Sequence, residues 1–371
     1  MGKKGLEFMD LLGIIIPFLV VLTIVVFVHE LGHYLVGRWC GIGAEAFSIG
    51  FGPELFGFND RAGTRWRVAA LPLGGYVKFI GDRDPASARP GMEDVAGSFQ
   101  SASLAARAAT VAAGPFANFI LSIVIFAVMA FAYGEVKLPP RVDGVQENSP
   151  AERAGFMIGD IITHVDGSAV ETFADVSQRI MGAGADPLDM TVARGGLSLD
   201  LTVTPEAVEV GEGATRGRIY RIGLQHNPDI TDGIEPERAG IFEALGKGVE
   251  RTWFIITTTL DYLGRVITGK ESADQIGGPI RIATISGEVA ENGILPLINL
   301  VALLSTSIGL INLFPLPILD GGHLMYYGVE AVTGRPVSER IQEIGARIGI
   351  ALVLFLMVFA TFNDLQFLSI F

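Results

Sequence analysis

The chain has 371 residues, 50% of them hydrophobic and 18% charged, with a net charge of −13 and a mean hydropathy of +0.46. Soluble globular chains carry about a quarter charged residues, so this composition points to a membrane protein with a sizeable part outside the bilayer. The acidic balance, without a basic stripe, excludes nucleic acid as a partner, and the single cysteine, Cys40, excludes an intrachain disulfide or a cysteine-based metal site.

Lys3 and Lys4 precede an apolar run, as in a secretory signal peptide, but no A-x-A-like cleavage site follows. A retained membrane helix is therefore expected within residues 1–40, its spanning part at 11–36. It carries Val28-His29-Glu30-Leu31-Gly32-His33, an H-E-x-x-H match. On a helix, His29 and His33 are i and i+4, so both imidazoles leave one face a turn apart. That spacing suits two neutral imidazoles on one Zn²⁺, with Glu30 as candidate general base. Ionisable residues inside an apolar helix are costly, which favours this reading over histidines at an accidental spacing.

Residues 41–101 alternate glycines with short β-like runs, among them Trp66–Leu71 and Tyr76–Ile80, and close in a polar loop at 82–101. A membrane-associated β-structure is expected here. The second span, within 102–135, begins with many alanines and Gly114, which permits close helix packing, and Asn118 follows one turn later. Asn118 reads either as an interhelical hydrogen-bonding amide or as a group at the site.

Residues 140–206 read as a soluble α+β module, with strands near Val142, Val145, 161–165, 190–192 and 199–203 and helices at 150–154 and 173–180. His164 in this module is expected at the surface. An acidic, Gly-rich linker is expected at 207–235, with one strand-like piece at 218–224 and His226 as a solvated loop residue. Residues 240–268 carry too many charges to span and suit an interfacial amphipathic helix. The third span, 294–323, ends in Asn312-Leu313-Phe314-Pro315-Leu316-Pro317-Ile318-Leu319-Asp320-Gly321-Gly322-His323, and a fourth is expected at 345–363.

About eleven positive charges fall in the first and third loops, which places those loops in the cytoplasm and the soluble module and both termini outside, although Lys3 and Lys4 count the other way. Spans one and three then run in the same direction. His29/His33 and Asp320 reach the same depth, so Asp320 can supply a third ligand and leave a fourth position open, as catalytic zinc sites do. Backbone broken by Pro315, Pro317, Gly321 and Gly322 at that depth is tolerated where it lines a cavity or is buried in protein.

The run Ser149-Pro150-Ala151-Glu152-Arg153-Ala154-Gly155, continued by Gly159-Asp160 and Gly167, resembles the PDZ domains of bacterial proteases. H-E-x-x-H, the Gly114–Asn118 pattern, this module and the N-L-F-P-L-P-I-L-D-G-G-H run together resemble the site-2 protease family of intramembrane zinc metalloproteases, most closely its bacterial RseP-type members. The resemblance covers nearly the whole chain; one PDZ-like module stands where some RseP-type proteins have two. It implies four transmembrane helices in the inner membrane, an inserted PDZ domain, His29, His33 and Asp320 as zinc ligands and Glu30 as catalytic acid/base. It further implies that Asn312 and the strand at Gly75, Tyr76 and Val77 hold an unwound substrate. Asn118 and His323 are candidates for groups that orient the ligands.

The expected reaction is zinc-dependent cleavage of single-pass membrane proteins within the bilayer. Anti-sigma factors already cut once are the first substrate class and remnant signal peptides the second. The module would exclude bulky ectodomains or bind a peptide tail. Two other classes use some of these residues. A transporter also places His, Asp and Asn in broken helices, but has no need of Glu next to the first His or of a PDZ module. A membrane adaptor would carry the module beside an inert metal site.

Overall fold

The computed structural model describes residues 8–81, 97–134, 140–210, 217–226, 238–273 and 276–367. Four helices are long and apolar enough to cross a membrane, Leu11–Trp39, Leu104–Ala132, Ile294–Asn312 and Glu339–Gln366, which makes this a polytopic membrane protein with β-structure. Contacts divide the chain into two units. One comprises Met1–Ala127, Leu245–Thr259 and Ile276–Leu365, the other Val128–Ala244, Leu260–Gln275 and Gln366–Phe371.

The first unit opens with α1 (Phe8–Trp39). Its Leu, Ile and Val residues are held helical because in hydrocarbon every backbone group must be paired within the segment. Strands β1 (Ala44–Asn59) and β2 (Arg65–Phe79) follow as an antiparallel pair. The runs expected as separate strands at 66–71 and 76–80 belong to the one strand β2, except for Ile80 just beyond its end. β2 doubles back near Gly74 (φ 151°), and both of its halves pair with β1: Phe47 lies opposite Trp66 on one side and Val77 on the other. The register therefore runs across four segments, 54–59, 65–69, 46–49 and 75–79, with the last on an edge. Phe47, fully buried, packs edge-on to Phe27 and Tyr34 of α1 and stacks on Trp66 at 4.3 Å. Of the loop expected at 82–101, residues 82–96 lie outside the described residues. Helix α2 (Leu104–Ala132) then passes α1 so closely that a Cβ on Gly32 would lie 2.4 Å from Ala113 O.

The second unit holds β3 (Gly144–Val145), α3 (Pro150–Ala154), β4 (Ile161–Val165), β5 (Ser168–Ala169), α4 (Phe173–Ala183), β6 (Leu188–Arg194), β7 (Leu197–Val203), β8 (Glu206–Val210), β9 (Gly217–Arg221) and β10 (Leu224–Gln225). β5, β4, β6 and β7 form an antiparallel sheet in that order, β8 pairs with β9, and β10 with β3. Helix α3 begins where Ser149 caps the Glu152 N–H with Pro150 at the first turn, and ends at Gly155 in the left-handed region. Thr172 and Asp175 cap α4 reciprocally. The core gathers Val142, Ile162, Val165, Val176, Met190 and Val192. Asp160, fully buried, receives a forked pair of hydrogen bonds from Arg194 (2.7 and 2.8 Å) and one from Met157 N–H.

Two expectations for this region are corrected. The stretch at 207–235 is not only a linker: its described part forms β8, β9 and β10, and Ile222 is buried in the module's core, its carbonyl accepting from Ala151 N–H at 2.8 Å. His226 is not solvated. Its Nδ1 lies 2.8 Å from Asp143 Oδ2, its ring stacks on Phe173 at 4.9 Å, and its side chain is only 10% exposed. The stacked ring and the carboxylate, both distant in sequence, hold it inside. His164 is at the surface as expected, with its Nδ1 3.1 Å from Thr163 Oγ1.

Helix α5 (Ile241–Ile267) occupies the residues expected for an amphipathic helix, with Phe242, Leu245, Val249, Trp253 and Leu260 exposed along it. Helix α6 (Pro279–Glu291), which the sequence did not suggest, packs Gly287 against the Ile14 backbone of α1. Its start is pinned by the buried Asp364, which accepts from Gly278 N–H and Arg281 N–H. Helix α7 (Ile294–Asn312) lies against α2 through Gly309 and through hydrogen bonds from Ser305 Oγ to Asn118 O and from Ser122 Oγ to Ala302 O. The segment expected as one span over 294–323 is two helices, because Pro315 and Pro317 cannot continue α7. After the turn, α8 (Asp320–Thr333) starts at Asp320. Gly321 and Gly322 let it fold back onto the turn, where any Cβ would lie 2.2–2.3 Å from the carbonyls of Leu313, Phe314 and Leu316. Helix α9 (Glu339–Phe367) exceeds the expected 345–363 at both ends.

Candidate metal centre

Three side chains from two distant segments converge. His29 and His33 leave the same face of α1, and Asp320 reaches them from the first residue of α8. Their donor atoms all lie within 4.8 Å of one another. His29 Nε2 is 3.1 Å from His33 Nε2, and Asp320 Oδ2 is 3.1 Å from His29 Nε2 and 3.5 Å from His33 Nε2.

Helix α2 sets the orientation of both rings. His33 Nδ1 is 2.9 Å from the Thr110 carbonyl, an acceptor only, so Nδ1 carries the proton and Nε2 presents its lone pair. Asn118, fully buried, lies 3.3 Å from His29 Nδ1 through its amide nitrogen, while its Oδ1 is buried without a partner. A half-turn of the amide moves no heavy atom appreciably and brings Oδ1 to Nδ1, where it accepts Nδ1–H and leaves Nε2 of His29 free as well. Between these two residues Gly114 leaves the space the rings occupy: a Cβ there would lie 2.3 Å from His33 Nε2 and 2.9 Å from His29 Nε2.

The cluster fits a metal cation. Two imidazole lone pairs and a carboxylate oxygen face one another at 3.1–3.5 Å. Asp320 Oδ2 is buried and, despite its distance from His29 Nε2, has no aligned donor. Such crowding of acceptors is unfavourable without positive charge among them. Tetrahedral zinc with ligands at about 2.0–2.1 Å separates its donors by about 3.3 Å, close to the observed edges.

Glu30 lies on the neighbouring face of α1, where β2 passes. A Cβ on Gly75 would lie 3.1 Å from Val26 Cγ1 and 3.3 Å from Glu30 Cγ, so glycine is what lets the strand approach, and the Val77 backbone is a hydrogen-bond partner of the Glu30 carboxylate. Tyr76 points to the opposite face of the strand, hydrogen-bonded to Arg67 with the guanidinium 5.1 Å over its ring. Of the other expected residues, Asn312 ends α7 eight positions before Asp320. His323 is exposed, with its ring 6.4 Å from that of Tyr326, and the structure does not bring it to the cluster. The sequence marked Gly114 only for close helix packing and for its spacing to Asn118; that it makes room for the two histidine rings shows only in the fold. The Thr110 contribution is a backbone carbonyl, for which residue identity carries no signal.

A broken membrane helix that brings a carboxylate to a His-Glu-x-x-His helix defines a membrane metalloenzyme site. Residues 17–356 match the model of Peptidase family M50. Over 371 aligned residues the chain is 47% identical to the Agrobacterium fabrum protein Atu1380, with 96% of each covered. It is 48% identical to the Rhizobium meliloti protein R01501, covering 97% of this chain and 98% of that one, and both carry zinc metalloprotease in their names. It is 39% identical to metalloprotease MmpA of Caulobacter vibrioides over 96% of each chain. The chain belongs to peptidase family M50, the site-2 proteases, and is a zinc-dependent metalloprotease.

Proposed function

We propose that the protein is an intramembrane endopeptidase that cuts the transmembrane segments of single-pass membrane proteins, with His29, His33 and Asp320 holding zinc and Glu30 as the acid/base. The observation that carries this reading is the convergence of those three donors beside a carboxylate that meets a strand edge. Zinc supplies the Lewis acidity that lowers the pKa of water and polarises a carbonyl. The substrate, unwound because helical peptide bonds are shielded, lies along the 75–79 edge, whose outer side carries no strand among the described residues. Glu30 takes a proton from the attacking water as oxygen bonds to the carbonyl carbon, and returns it to the amide nitrogen as the C–N bond breaks. Asn312 donates to the substrate backbone, and Asn118 holds His29 in the tautomer the site needs.

The module beginning at residue 140 is a PDZ domain outside the cytoplasm, as both termini are, and it excludes intact ectodomains or binds a trimmed tail. The physiological substrates are anti-sigma factors already cut once, in the inner membrane. Purified Glu30→Gln should retain zinc yet leave a membrane-embedded reporter uncut; persistent cleavage would remove Glu30 from the chemistry. Comparing membrane fragments between wild type and Glu30→Gln cells distinguishes anti-sigma factors from remnant signal peptides.

A further inference from the structure

The turn that joins the two strands carries an acid that no step of the reaction uses. Asp60 accepts four hydrogen bonds: Oδ1 from Ala62 N–H and Thr64 N–H, both at 2.9 Å, and Oδ2 from Tyr34 O–H at 2.8 Å and Trp66 Nε1–H at 3.0 Å. The first pair shapes the turn. The second pair joins two elements, because Tyr34 follows His33 on α1 and Trp66 lies on β2. The Trp66 indole, hydroxyl and amide donors hold the Asp60 carboxyl down at about 2, below its ordinary 3.8, so it is a charged acceptor at neutral pH.

The side chains that Asp60 orients lead across the sheet to the edge beside Glu30. Trp66, fixed through its Nε1–H, stacks on Phe47 at 4.3 Å, and Phe47 lies in register opposite Val77. Tyr34 packs edge-on to both Phe47 (5.7 Å) and Trp66 (5.1 Å), so α1 and the sheet meet through these rings and this carboxylate. Strand register is otherwise weakly specified near a glycine-rich bend such as Gly74-Gly75. A slip of one residue would turn Val77 away from Glu30.

We propose that Asp60 is a positioning residue that fixes the edge at Gly75–Val77 against α1, and so controls how well an extended substrate is presented. This rests on the reading that the edge receives the substrate strand. Neither Asp60 nor the Tyr34 hydroxyl is among the metal donors, and loss of their contact should act on substrate binding while leaving the metal in place.

Tyr34→Phe tests it, since the variant keeps the ring packing and removes only the hydroxyl that Asp60 accepts. With full-length protein in nanodiscs and a transmembrane reporter peptide, KM should rise about fivefold or more, as loss of a hydrogen bond to a charged group implies. Zinc content should stay within about twofold of wild type, and kcat should fall by less than KM rises, the loss it does show coming from the Val77 contact with Glu30. Asp60→Asn, which keeps one acceptor oxygen, should fall between Tyr34→Phe and Asp60→Ala. Disulfide trapping separates the two claims, with Tyr76→Cys in a Cys40→Ser background and a cysteine placed in the reporter peptide. If no reporter is trapped at Tyr76→Cys, the edge does not receive substrate. If reporter is trapped while Tyr34→Phe and Asp60→Ala leave KM unchanged, Asp60 does not position the edge. Loss of zinc in Tyr34→Phe would also overturn the proposal, because the role would then lie at the metal centre.

Discussion

Gly114→Ala offers the sharpest test of the metal centre, because two effects of one methyl group have opposite signs. Gly114 is inside α2, where alanine favours a helix by about 0.8–1 kcal/mol over glycine. The added Cβ, however, would lie 2.3 Å from His33 Nε2 and 2.9 Å from His29 Nε2, where ordinary contact begins at 3.4 Å. The His33 ring must therefore retreat by about 1 Å, against a tolerance of about 0.2 Å in metal–ligand distances. Losing a supporting group behind a ligand weakens metal binding about 10–100-fold, so displacing the ligand itself should weaken it at least about 100-fold, or about 2.7 kcal/mol. The assay is zinc competition against a fluorescent chelator on detergent-solubilised protein, paired with the melting temperature of the zinc-stripped form. The expected result is an unchanged or higher melting temperature, a collapse of zinc affinity and loss of proteolysis. Gly13→Ala, with nothing within 4 Å of its Cβ, is the control and should behave as wild type. Wild-type zinc affinity in Gly114→Ala would refute the assignment of His29 and His33 as joint ligands.

Two further outcomes follow from the polar contacts. Asn118→Leu removes the acceptor behind His29 and should weaken zinc binding about 10–100-fold in the same competition assay, whereas Asn118→Asp, which keeps an acceptor oxygen, should lose less. In the second unit, burial raises the Asp160 carboxyl, but the Arg194 fork and the Met157 N–H outweigh it and leave it below its ordinary 3.8. A depressed acid contributes stability above its unfolded pKa and loses it as pH falls through the folded one, so this unit's melting temperature should hold from neutral pH and drop below about pH 4. Asp160→Asn should lower the midpoint at pH 7 and flatten that acid limb, as read by hydrogen exchange of β4 and β6.

What was legible in the sequence divides by the range of the physics involved. The i,i+4 spacing of His29 and His33 is a property of any helix, and the apolar runs announce spans by length alone, so both could be read locally. The break between α7 and α8 was foreshadowed by Pro315 and Pro317, but the place where the helix resumes depends on Gly321 and Gly322 packing on carbonyls of the turn, a tertiary contact. The stretch 207–235 looked like an acidic linker with one strand-like piece at 218–224; that its described part belongs to the module is set by pairing with distant residues, β10 with β3 and Ile222 in the core. His226 has no partner nearby in sequence, and Asp143 and Phe173 lie 83 and 53 positions away. The Asp60 network is equally silent, since an acid after Asn59 in a turn is the ordinary composition of a surface loop.

The arrangement also explains why the least reactive helix near the centre matters most to it. Thr110, Gly114 and Asn118 recur every four residues and so share one face of α2. The first orients His33 through a backbone carbonyl, the second makes room for both rings, and the third holds His29. Ser305 of α7 donates to the Asn118 carbonyl, and α7 leads through its break to Asp320, so the helix that orients the two histidines is hydrogen-bonded to the one that precedes the carboxylate. The donors thus meet at 3.1–3.5 Å because neighbouring elements fix each of them, and on the proposed ligand assignment a cation would relieve their repulsion rather than assemble them. A preformed site of this kind binds metal without the entropy of gathering its ligands, which is why substitutions on α2, which supplies no metal donor, should register first as lost zinc and only then as lost proteolysis.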